Sequence, residues 1–101
     1  MTQPTGKQPT RINLELPADL EEIYSNFTVI SHSASEIIMD FARIMPNKPR
    51  ARIHSRVVMT PINAKLLLRA LAENIQKFEA KYGEINIPEN IMLDPERGFT
   101  T

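Results

Sequence analysis

Apolar and polar positions alternate through the first half of this chain and recur every three or four residues in the second half. Residues 11–16 set Ile12, Leu14 and Leu16 against Arg11, Asn13 and Glu15, the period of a short strand, and Pro17 stops it. Residues 18–22 then form a turn of helix or an irregular link. Three further alternating segments follow at residues 23–31, 36–45 and 51–60, rich in Ile, Val, Phe, Thr and Tyr. β-Branched and aromatic side chains suit a pleated, half-buried surface, so all three are predicted strands. Their short connections, Ser31-His32-Ser33-Ala34-Ser35 and Pro46-Asn47-Lys48-Pro49, suit antiparallel hairpins. A helix capped by Ser35 is the competing reading for the middle segment.

The second half is a predicted helix. Thr60 is placed as N-cap and Pro61 as the first helical residue. Ala64, Leu67, Leu68, Leu71, Ile75, Phe78 and Tyr82 form one wide apolar stripe, and Gly83 supplies the stop. Glu73 and Lys77 add an i,i+4 pair in the favourable order. Beyond it, residues 86–101 read as an extended tail whose apolar residues dock on a surface. Residues 1–10, polar and rich in Pro, Thr and Gln, read as a disordered tail.

These elements predict an α+β domain over residues 11–85: a three- or four-stranded antiparallel meander with one long C-terminal helix packed on one face. Placing Val29 opposite Ile37, and Phe41 opposite Ser55, gathers Phe27, Val29, Ile37, Met39, Phe41, Val57 and Met59 under the helix. The other face then holds Tyr24, Ile30, Ile38, Asp40, Ile44, Arg52, His54, Arg56 and Val58. Asn26, Asp40 and Arg56 form one row across it, and Tyr24, Ala42 and His54 the next. One helix covers only one face of a sheet. The second face is therefore the expected contact with another copy, and a homodimer is favoured.

Composition narrows the chemistry. Twelve basic and twelve acidic residues cancel across 101 positions, which disfavours a general polyanion binder. There is no cysteine, so thiolate chemistry is excluded. No apolar run approaches the ~20 residues of a membrane span, and a cytoplasmic, non-membrane protein is the expectation. Lys48, Arg50, Arg52 and Arg56 lie in a stretch without acids, and Arg50, Arg52, His54 and Arg56 point one way from one strand, a basic row able to follow phosphates. That gives nucleic acid as the alternative partner. The acids Glu15, Asp19, Glu21 and Glu22 offer a simpler one, within or between chains.

The Ser–His knot at residues 31–35 has no glycine-flanked nucleophile elbow and reads as a turn rather than a hydrolase site. His32 and His54 lie on the order of 26 Å apart in this register at ~3.3 Å per residue, too far to share a metal. With only Gly6, Gly83 and Gly98, there is no phosphate-binding glycine loop. No enzyme activity, cofactor or metal is expected.

Asn26-Phe27, the Ser31–Ser33 turn, Asp40-Phe41 and the helix beginning Thr60-Pro61 together resemble an uncharacterised bacterial and archaeal family, domain of unknown function 3467. The resemblance runs from about Ile12 to Ile85. It implies no activity and no ligand.

Overall fold

The first hairpin turn is shorter than the apolar pattern suggests, and that shortening rearranges the sheet. The structure is a computed structural model. It describes residues 11–88 and the backbone of residues 93–94 and 98–99. The tail assigned to residues 1–10, and most of the one assigned to 86–101, lie outside the described residues.

Strands β1 (Phe27–His32), β2 (Ile37–Arg43) and β3 (Arg52–Met59) form an antiparallel sheet in the order β1-β2-β3, followed by the helix α1 (Pro61–Tyr82). This is the α+β meander expected from the sequence. Two short strands, β4 (Leu93–Asp94) and β5 (Gly98–Phe99), pair with each other, and β5 lies against β1.

The β2–β3 register is the expected one, with Ile37 opposite Met59, Met39 opposite Val57 and Phe41 opposite Ser55. The β1–β2 register differs by three residues: Val29 faces Asp40, not Ile37. Ser31 and His32 continue the ladder against Ile38 and Ile37, leaving only residues 33–36 to turn. Ser33 N–H donates to the Glu36 carbonyl at 3.0 Å, and its Oγ accepts from Ser35 N–H at 3.3 Å. The ladder is a backbone structure, so it runs on past the last apolar residue. An odd shift exchanges the two faces of a strand. Phe27 and Val29 thus join the Asp40 face, while Thr28 and Ile30 join Met39.

A second irregularity lies between Phe41 and Ala42. Phe41 faces Ser55 but Ala42 faces Ile53, so His54 is the bulged residue without an opposite number. The pairing ends at Arg43 opposite Arg52. Asn47, with φ of 64°, makes the connection turn; asparagine tolerates this conformation.

Residues 11–16 form no strand, although their alternation predicts one. A strand is stable only against a partner edge, and among the described residues this segment pairs with none. Ile12, Leu14 and Leu16 stay exposed.

The helix boundaries match the sequence. Thr60 Oγ1 accepts from Asn63 N–H at 3.4 Å, and Asn63 Nδ2 donates to it at 2.9 Å. Gly83, with φ of 104°, donates its N–H to the Glu79 carbonyl at 2.9 Å and ends the helix. The packing does not match. α1 has no buried residue and does not lie on the sheet. The cause is the link: Thr60 alone separates β3 from α1, and its backbone is extended (φ −69°, ψ 157°). Strand-to-helix reversals ordinarily use about 2–6 residues. One extended residue carries the helix onward from the strand instead of back across it.

Among the described residues only Met39, Asp40 and Ala42, all on the central strand, are buried.

Candidate functional site

Two features are candidates: a charged pair on the sheet and an uncovered stripe on the helix. The pair forms because Asp40 and Arg56 sit directly opposite on β2 and β3. Arg56 Nε donates to Asp40 Oδ1 at 2.6 Å and its NH2 group to Oδ2 at 3.1 Å, a two-pronged contact matching guanidinium to carboxylate. The Asp40 side chain is 9% exposed, while that of Arg56 is 64% exposed. The carboxylate is therefore fixed inside the sheet face, and the guanidinium remains accessible from outside.

The hydrogen bond from Arg56, aided by its charge, holds the Asp40 carboxyl below the ordinary value of 3.8 despite the opposing effect of burial. A depressed carboxylate stabilises the fold above its unfolded pKa and loses that contribution as pH falls through the folded value. Urea midpoints measured from pH 6 down to pH 2 should therefore fall below about pH 4. Asp40→Asn should be weaker at pH 6 and show a smaller fall. Parallel curves for the two proteins would remove the pair from the account.

The predicted contact face is only partly assembled. Ile38, Asp40, Arg56 and Val58 stay together, with Val29 in the row assigned to Asn26. Ile30 moves to the Met39 face, and Arg52 lies opposite Arg43. His54 sits in the bulge. Tyr24 packs its ring 5.3 Å from the Arg43 guanidinium carbon. Lys48 and Arg50 are exposed in and beside the β2–β3 connection. The bulge thus breaks the expected arginine row, with Arg52 and Arg56 on opposite faces of β3.

Asn26 has a different role from the one its place in the pattern suggests. Its Oδ1 accepts from Ile44 N–H at 2.7 Å and its Nδ2 donates to the Ile44 carbonyl at 3.1 Å. A side-chain amide here takes the place of a backbone pair and ties the entry of β1 to the end of β2. A polar residue inside an apolar alternation was the available signal.

The helix stripe is the larger feature. Leu67, Leu68, Leu71, Ile75, Phe78 and Tyr82 are each 40–66% exposed. At its C-terminal end the chain bends back, Ile85 N–H donating to Glu79 Oε2 at 2.9 Å. This closes an open groove of about 540 Å³ floored by Ile75, Phe78, Tyr82 and Ile85 and edged by Lys77 and Lys81. The Phe78 and Tyr82 rings are 5.0 Å apart at 47°. Among the described residues, no helix is long and apolar enough to cross a membrane.

Compared with known proteins, the chain matches one family model, described as protein of unknown function (DUF3467), over residues 1–87. No curated protein matches, and no solved structure matches.

Proposed function

The chain belongs to the DUF3467 family of proteins of unknown function, and we propose that it is a non-enzymatic self-associating module whose folded form is a homodimer or higher oligomer. The single observation behind this reading is the uncovered stripe on α1. Fully burying one large apolar side chain is worth about 1.5–3 kcal/mol. Six side chains at roughly half exposure leave on the order of 5–9 kcal/mol unrealised in each chain. Two stripes meeting would gain about twice that, against an association cost of about 4–15 kcal/mol. Association is the favoured outcome of that balance.

The Asp40–Arg56 pair and Val58 are then available to orient a neighbour, with Ile38 beside them. Nucleic-acid binding through Lys48, Arg50, Arg52 and Arg56 is the weaker reading, because the bulge divides the row. Light scattering after size exclusion should give at least twice the 11.5 kDa chain mass at tens of micromolar. A monomer under those conditions removes the proposal.

A further inference from the structure

We infer that a second copy of this chain docks on α1 with its own α1 antiparallel, so that the two stripes mesh end for end. This rests on the self-association reading and specifies the surface and orientation. Ala64, Leu68, Leu71, Ile75, Phe78 and Tyr82 are spaced four, three, four, three and four residues apart. That spacing averages 3.6 residues per step, keeps heptad-related positions (Ala64, Leu71, Phe78 and Leu68, Ile75, Tyr82) in line along nearly the whole helix, and with Leu67 at its side suits a seam between two helices.

Orientation follows from size and charge. In an antiparallel pair Ala64 meets Tyr82 of the second copy, Leu68 meets Phe78, and Leu71 meets Ile75, each contact occurring twice by symmetry. The smallest residue of the stripe thus meets a large aromatic one. A parallel pair instead stacks Ala64 on Ala64 and Tyr82 on Tyr82, leaving a gap at one end and crowding at the other.

Flanking the seam, Lys65 of each copy comes opposite Glu79 of the other. Glu79 Oε2 already accepts from Ile85 N–H, and Oε1 remains for the lysine. A parallel pair brings no opposite charges together there. The groove at the C-terminal end agrees: Phe78 and Tyr82 form its floor, and the antiparallel register delivers Leu67 and Leu68 of the second copy into it. Lys81 beside the groove sits 5.2 Å from the Tyr82 ring centre and can cover the Leu67 contact with its methylenes.

The chain has no cysteine, so introduced thiols report cleanly. Full-length Ala64→Cys and Tyr82→Cys are prepared separately, then unfolded and refolded as a mixture so that copies exchange. They are treated with a short bifunctional maleimide. The expected result is a covalent dimer from the mixture carrying one chain of each variant, confirmed by intact mass, and little from either variant alone. Efficient linkage of each variant alone overturns the proposal in favour of parallel helices. No linkage from a sample that scatters as a dimer also overturns it, and places α1 on the sheet of the second copy. No linkage from a sample that scatters as a monomer overturns self-association itself. Wild-type mass measured alongside shows whether a variant has lost assembly through its own substitution.

Discussion

Leu71→Asp is expected to leave the protein a monomer at concentrations where the proposed assembly of the wild type forms. Leu71 lies in the middle of the stripe and is 53% exposed in the single chain. If two stripes meet, the substitution removes an apolar contact in each copy and places a carboxylate in each half of the seam. Losing about half of a fully buried leucine's 1.5–3 kcal/mol in each copy weakens a symmetric pair by roughly 2–3 kcal/mol before the carboxylates' desolvation is added, a dissociation constant higher by about 10²-fold or more. Leu66→Asp is the informative companion. Leu66 is equally exposed, at 53%, but lies on the far side of the helix, about 140° from Leu71 at 100° per residue. It receives the same chemical change about a turn and a half nearer the helix start, and its assembly should remain. Circular dichroism against concentration gives a second reading. An amphipathic helix draws most of its stability from packing of its apolar face, so Leu71→Asp should also lose helical signal. Equal mass for Leu71→Asp and wild type places the interface elsewhere.

Asn26→Ala carries the second large effect, and it acts within one chain. The substitution leaves the Ile44 N–H and carbonyl without the two partners that Asn26 provides. Removing one side of part-buried hydrogen bonds costs about 1–3 kcal/mol, a fall in melting temperature of roughly 5–15 °C for a domain of this size. Ile44 amide exchange should accelerate more than that of Met39 within β2. Asn26→Asp keeps the acceptor for Ile44 N–H and loses the donor, so it should fall between wild type and Asn26→Ala. Unchanged exchange at Ile44 in Asn26→Ala would show that the clamp does not hold the strand end.

The sheet, its order and the helix limits were legible because each rests on a local pattern. Alternation marked the strands, Thr60-Pro61 the helix start and Gly83 its stop. The first hairpin register was not legible. Ser31 and His32 have polar side chains, but the ladder they extend is made by their backbones. Nor did the pattern reveal the bulge at His54, because an inserted residue leaves composition unchanged and alters only which side each neighbour takes. The candidate site suffered most from both. Asp40 opposite Arg56 survived because it depends on the β2–β3 register, which was right. Asn26 and Ile30 were displaced because they depend on β1. The stripe on α1 was fully visible, yet its target was not: periodicity shows that a face is to be buried, and the one-residue link at Thr60 decides where.

That bulge has a consequence for solubility. Among the described residues β3 is an unpaired margin of the sheet, the kind of place where β proteins recruit further strands and grow fibrils. The irregularity at His54 interrupts the flat row of backbone donors and acceptors that such growth requires. Arg52, which lies opposite Arg43 rather than an acid, makes two such margins repel when they meet. Crowded molecules of this protein should consequently resist open-ended strand addition at this margin.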